Sequence, residues 1–392
     1  MTQLVSMSVL LKNQLEHLAV TNILRPNFLG VNDDLSAISR WLEEFKLSQH
    51  TYRVYEKESL RFLYWLSVEK KMGLNDVRKQ DVHDYRVFLM DPQPSDFWCA
   101  PLGDRRNSRV GQWKPFSGPL KLRSIQTAMT VLNGLFQYLT DAQYLQANPF
   151  SLIKQRLVER FDLEARKIDI IERMLSKDEY DLLLESLETV ALEQGRSKMW
   201  CERSSFIIKI LAYLGLRVSE LIEHSWSDFI CQGGKWWLVV LGKGKKLARV
   251  PVNNECLDVI NHYRQVIGLP DLDITSVSPD PIVCKLSKKN DPLIHEALTE
   301  RAVHLLLKEV AQFAKQLTNN VQLHDKYDKF SPHWLRHFCA SMQAQADIPF
   351  EFIKAHHRHS KDETTRLYMH HEDDLRHQWA QQLTLRSKII KK

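Results

Sequence analysis

Apolar residues recur every three or four positions through most of the chain, a period that predicts helices. From Asp34 onward, Ile38, Trp41, Leu42 and Phe45 fall on one helical face, and Tyr52, Tyr55, Leu60, Leu63, Leu66 and Val68 mark a longer helix. A third helix is predicted over Val77 to Leu89. A fourth, over Ser124 to Leu145, carries Ile125, Met129, Leu132, Leu135, Phe136 and Leu139 toward an Asn148-Pro149 stop. Together they predict a compact helical domain over residues 34–150. Ahead of it, a leader of residues 1–33 holds one short amphipathic run, Val9 to Ala19.

The second half is helical too, with one interruption of a different period. Ser176 and Glu179 have capping-box spacing, and Phe206 to Leu214 is an apolar helix that Gly215 ends. Trp236 to Leu241 and Leu247 to Val252 are β-rich runs on either side of Gly242-Lys243-Gly244-Lys245-Lys246, which predicts a hairpin with a basic tip. Helices follow over Glu255 to Val266 and Ala297 to Leu317. Ser331-Pro332 opens another, and Ser360 with Glu363 opens a last one by the same capping-box spacing. The fold class is mainly α with a small antiparallel sheet. Residues 151–176, of mixed charge, read as the connection between two domains.

Composition narrows the class without naming it. A chain of 392 residues that is 44% hydrophobic has material for two cores, and its apolar runs are too short to cross a bilayer. No signal pattern opens the chain, so a cytoplasmic protein with no membrane partner is expected. The cysteines Cys99, Cys201, Cys231, Cys256, Cys284 and Cys339 form no C-x-x-C pair, and the histidines near residue 357 have no carboxylate or cysteine at ligand spacing, so neither a metal nor a disulfide framework is expected. A formal charge of +6 permits a nucleic-acid partner. The loop from Pro92 to Pro119 gathers Arg105, Arg106, Arg109 and Lys114, which suit DNA-backbone contact or a plain solvated surface.

The densest chemistry lies between Ser331 and His371. His333 and Arg336 share one face of the first helical turns, where free N–H groups already favour an anion. Tyr368 is expected about two turns into the helix opened at Ser360, at a fixed distance from His359. A phenol beside a phosphate clamp is the outline.

The H-x-x-R pair His333 and Arg336, followed by His359-Ser360, Thr364-Thr365 and Tyr368, resembles the C-terminal box of the tyrosine recombinases, the phage-integrase-type site-specific recombinases. LAYLGLRVSEL around Arg217 resembles the family's first box, and LVVLGKGKKLARVPV around Lys243 its lysine hairpin. Together these boxes span roughly residues 177–372. Where the family has Leu-Gly-His, this chain has His357-Arg358-His359.

The resemblance implies a two-domain, C-shaped clamp: a helical, SAM-like core-binding domain and an α+β catalytic domain. It implies that Arg217 and Arg336 grip a scissile phosphate, that His333 and His359 donate further hydrogen bonds, that Lys243 protonates the leaving oxygen and that Tyr368 attacks phosphorus. Lys245 and Lys246 compete for the lysine role on spacing alone. Two guanidiniums supply the charge that metal ions supply elsewhere, so no cofactor is implied. Expected partners are double-stranded DNA bearing specific sites, a homo-tetramer assembled on it, and accessory DNA-bending or directionality proteins. The tail, residues 373–392 with Trp379, Leu383, Leu385 and Ile389, either docks on a neighbouring subunit or packs on its own domain. Rival functions are strand relaxation of the type IB topoisomerase kind and site-specific DNA binding without catalysis.

Overall fold

The computed structural model describes residues 26–100, 113–153, 174–242, 246–275 and 278–368. The chain divides into two compact units, Met1–Glu159 and Arg160–Lys392. The leader helix, the arginines of the basic loop, most of the expected interdomain connection, Lys243 and the tail lie outside the described residues.

In the first unit, helix α1 is Asp34–Glu43, α2 Gln49–Trp65, α3 Lys79–Met90 and α4 Leu122–Asp141. Asp33 starts α1 by accepting the Ser36 N–H at 2.7 Å. Their apolar faces meet in an aromatic core, where Phe62 lies within 6.0 Å, between ring centroids, of Trp65, Tyr85, Phe136 and Phe150. Helix α4 stops short of the predicted Leu145. Gln143 turns left-handed (φ 58°), and the N–H groups of Tyr144 and Leu145 both return to the Leu139 carbonyl. That turn aims the Tyr144 hydroxyl at the buried Asp34, to which it donates at 2.8 Å while the Leu74 N–H donates at 2.9 Å. Burial pushes the Asp34 carboxyl up to about 6. Lys114 is in this unit, and its ammonium donates to the Asp96 carbonyl.

The second unit opens with α5, Lys177–Glu188, whose capping box is the predicted one: Glu179 N–H to Ser176 Oγ at 3.1 Å and Ser176 N–H to Glu179 Oε2 at 2.8 Å. Then come α6, Lys198–Leu214, and the short α7, Val218–Ile222. Strands β1 (Phe229–Gln232), β2 (Lys235–Gly242) and β3 (Lys246–Val252) form an antiparallel sheet in the order β1-β2-β3. The hairpin pairs Trp236 with Val252 and Leu241 with Leu247. Helix α8 is Asn254–Val266; β4 (Cys284–Leu286) and β5 (Pro292–Ala297) pair as a second small sheet. Helix α9 runs Glu300–Lys315, α10 Val321–Asp328, α11 Pro332–Gln345, α12 Phe350–His357 and α13 Asp362–Arg366.

Two expectations change here. Ala297 ends a strand, and the helix predicted from it begins at Glu300, where Thr299 accepts the Ala302 N–H at 3.2 Å. The last helix does not begin at Ser360 by a capping box. Its N-cap is Lys361, it spans five residues, and Tyr368 lies just past its end. The cause is the left-handed Arg358 (φ 53°, ψ 44°), which closes α12, followed by an Asp362 carboxylate held by Lys354 at 2.6 Å.

Candidate active site

The site is built where the end of α6, the start of α7, α11 and the end of α12 converge in the second unit. Helix α6 ends because Gly215 adopts φ 55° and returns its N–H to Leu211 O at 3.0 Å. No other residue fits: a Cβ at Gly215 would stand 2.4 Å from the His357 ring. The tight turn delivers Arg217 as the N-cap of α7, with its N–H on Glu220 Oε2 at 2.8 Å and its Nη1 on Glu220 Oε1 at 2.7 Å. Such a pairing is the ordinary structural role of a partly buried arginine. Yet its side chain stays 35% exposed, with room to meet an anion.

Arg336, on α11, is 2% exposed and donates to two backbone carbonyls, those of Gly215 and His357. Burial, and then the charges of Arg217 and Arg358, lower its pKa to about 9, so the guanidinium remains cationic at neutral pH. Arg358 is the third cation of the group. Its Nη2 donates to Glu220 Oε2 at 2.7 Å and its Nη1 to the His356 carbonyl at 2.5 Å. Burial alone would raise the Glu220 pKa, but Arg358 and Arg217 pull it below the ordinary value, so it is ionised.

His359 follows the turn that Arg358 makes. Its Nδ1 lies 3.0 Å from the Thr365 hydroxyl. Burial and then Arg336, Arg217 and Arg358 depress its pKa to about 3, leaving a neutral imidazole with a hydrogen bond to give. Tyr368 stacks near it, 6.1 Å between centroids. The phenol is 4% exposed in a small apolar cluster with Ala340, Ala344 and Ile353, and it contacts His337 Nδ1. Burial pushes its pKa above the usual phenol value. His333 is exposed at the start of α11, its ring 4.3 Å from that of His337.

Five of the six catalytic candidates, Arg217, His333, Arg336, His359 and Tyr368, thus gather in one unit; Lys243 falls outside the described residues. Of the basic-loop candidates only Lys114 is described, in the other unit. Sequence reasoning missed His337, whose only signal is its place directly after Arg336. It also passed over Cys339, which with His356 and His357 makes the one described group of three residues able to share a metal ion. No described helix is long and apolar enough to cross a membrane.

The family model described as the phage integrase family matches residues 173–375. Tyrosine recombinase XerC of Pediococcus pentosaceus is 24% identical over 311 residues, covering 79% of this chain and 91% of that protein. Tyrosine recombinase XerD of Rickettsia prowazekii is 24% identical over 327 residues, with 79% and 91% covered. Among solved structures, the XerH site-specific recombinase bound to its difH substrate in a pre-cleavage complex superposes with a TM-score of 0.54 at 16% identity, covering 88% of this chain and 83% of that one. The Tn1549 transposon integrase in complex with circular intermediate DNA gives a TM-score of 0.55 at 14% identity, with 88% and 97% covered. With the matched region spanning α5 to Tyr368 and holding every described member of the arginine, histidine and tyrosine set, the chain belongs to the phage integrase family of tyrosine recombinases.

Proposed function

We propose that the chain is a site-specific DNA recombinase that cuts and rejoins strands through a 3′-phosphotyrosyl bond to Tyr368. The observation that carries this reading is the gathering of Arg217, Arg336 and Arg358 about a single buried carboxylate, Glu220, with His359 and Tyr368 beside Arg336. Three guanidiniums against one carboxylate leave a cationic excess suited to a phosphodiester.

In the proposed step the Tyr368 oxygen bonds to phosphorus as the bond to the 5′ oxygen breaks. Lys243 gives that oxygen its proton, and His337, already in contact with the phenol, is placed to take the phenolic one. Arg217, Arg336, His333 and the neutral His359 donate to the non-bridging oxygens as charge builds on them. A 5′ hydroxyl from a second site then reverses the step and joins the exchanged strands, with no ATP consumed. Arg358 acts as a positioning residue: by sharing Glu220 it relieves Arg217 of part of that carboxylate's charge.

The buried phenol must leave its apolar notch before it can attack, so cleavage requires a rearrangement that DNA binding supplies. Lys114, with Arg105, Arg106 and Arg109, is assigned to the DNA backbone. Exchange between two sites calls for a tetramer on DNA, with accessory DNA-bending proteins setting direction and the tail, residues 373–392, docking in trans.

Covalent capture tests the proposal. The protein is incubated in EDTA with nicked or 5′-bridging phosphorothiolate duplexes from its genomic surroundings and run on denaturing gels beside Tyr368→Phe. A denaturation-proof, sequence-dependent band that disappears in the variant is expected. A band indifferent to sequence would replace recombination with topoisomerase-like relaxation. Tight site-specific binding without a band would remove Tyr368 as nucleophile.

A further inference from the structure

We propose that Cys339, His356 and His357 form a binding site for a thiophilic divalent cation of the zinc class, distinct from the groups that react with DNA. The three residues offer ligand atoms that all lie within 4.8 Å of one another. Cys339 Sγ is 3.9 Å from His356 Nε2. Bond lengths of about 2.3 Å to sulfur and about 2.0 Å to nitrogen place tetrahedral S and N ligands roughly 3.5 Å apart, so this edge needs a contraction of only a few tenths of an ångström.

An independent observation comes from His357. Its side chain is fully buried, 0% exposed, and its Nδ1 has no hydrogen-bond partner. Its Nε2 lies 3.1 Å from Gln343 Oε1, an oxygen that can only accept. The proton is therefore on Nε2, and Nδ1 presents a bare lone pair to the interior. A buried imidazole with its outer N–H on a carbonyl and its inner nitrogen unpaired is the arrangement of a metal-ligating histidine. The lone pair and the thiol both lie against Gly215. A Cβ placed on Gly215 would meet His357 Nδ1 at 2.8 Å and Cys339 Sγ at 3.2 Å, so only the glycine hydrogen faces both. The backbone of Leu214 and Tyr213 lies close to His356, and the Tyr213 carbonyl also accepts from the Cys339 thiol at 3.5 Å.

The choice of cation follows from the donors and from the charges around them. Thiolate and imidazole select zinc-like ions over magnesium or calcium. Arg336 and Arg358 stand near enough to bear on the cysteine and on both imidazoles, and they would repel a bare dication. The Cys339 thiolate cancels one of its two charges, and Arg358 is already paired with Glu220. Three protein ligands leave a fourth position for water. The bound ion would brace α11, one turn beyond Arg336, against the end of α12, just before His359. No sequence spacing announces such a site, because the cysteine and the histidines come from different helices.

The test uses the untagged full chain, stripped of metal and titrated with Co²⁺ alone. We expect one equivalent to bind, with four-coordinate d–d absorption and a thiolate-to-cobalt charge-transfer band, both erased by added Zn²⁺. Cys339→Ala abolishes the charge-transfer band, while Cys201→Ala, at another buried thiol, keeps it. Gln343→Leu weakens cobalt binding by about 10- to 100-fold, the usual cost of a lost outer partner. If Cys339→Ala fails to fold, as judged by its melting curve, the half-buried His356→Ala supplies the same loss. An absent saturable band, or an unchanged one in Cys339→Ala or His356→Ala, overturns the proposal. DNA cleavage in EDTA is expected to persist, so failure here and failure of the recombinase reading are separate outcomes.

Discussion

Asp34 in the first unit and Glu220 in the second are both carboxylates almost sealed from solvent, 2% and 3% exposed, and they teach opposite lessons about polar burial. Asp34 sits in an aromatic core, and its two oxygens meet one hydroxyl and one N–H. Burial with neutral donors favours the protonated acid, and the contacts tie α1 to the chain after α2 and after α4. Glu220 sits among cations, stays ionised and still leaves guanidinium charge over. The first arrangement holds a fold together. The second accumulates like charge that no folding argument would select, which is the mark of a place waiting for an anion.

The contrast can be broken most forcefully in the aromatic core. Phe62→Ala should cost the first unit about 3–5 kcal/mol, the usual range for a large buried aromatic. Denaturation followed by proteolysis of each unit should show the loss confined to residues 26–153.

Next in size is a pH effect. The Asp34 pKa is raised from 3.8 to about 6 on folding, so its contribution is full below about pH 4 and is lost as pH rises through about 6. The loss amounts to about 3 kcal/mol by pH 8. Urea melts from pH 4 to 8 should show that decline in the native chain and a flat profile in Asp34→Asn. A native profile as flat as the variant's would remove the buried-acid account.

The smallest effect tests the charged cluster. Arg358→Gly restores the family's residue and relieves left-handed backbone worth about 1–2 kcal/mol, while giving up an ion pair whose carboxylate keeps Arg217. The melting temperature should barely move, whereas cleavage of a suicide duplex should slow by about 10- to 100-fold at unchanged site affinity. Arg358→Lys should recover part of the rate. Undiminished cleavage in the glycine variant would deny Arg358 any part in placing Arg217.

The sequence made the helices legible because their apolar faces bury in one direction each: the bundle of α1 to α4 and the hairpin of β2 and β3 appear within a few residues of where periodicity puts them. The stop of α4 and the start of α13 were not legible. Gln143 and Arg358 are left-handed residues that no local propensity favours, and Arg358 is held by Gly215 and Glu220, far from it in sequence. The ordered boxes pointed to the family and proposed Arg217, His333, Arg336, His359 and Tyr368, which the fold brings into one unit. They could not foretell that Arg358 would join Glu220, nor that Cys339 would meet His356 and His357, since each pairing is made by helices packing rather than by spacing.

Gly215 also sets the order in which this protein can change. Its missing side chain leaves space that the His357 ring occupies, while its carbonyl anchors both Arg336 and Arg358. An alanine at 215 is therefore excluded as long as position 357 carries an imidazole, and after that position has shrunk it still meets the Cys339 sulfur at 3.2 Å and a left-handed backbone. Mutational paths through the site are directional, with 357 first and 215 second, and a library randomised at both positions should recover non-glycine residues at 215 only beside small ones at 357.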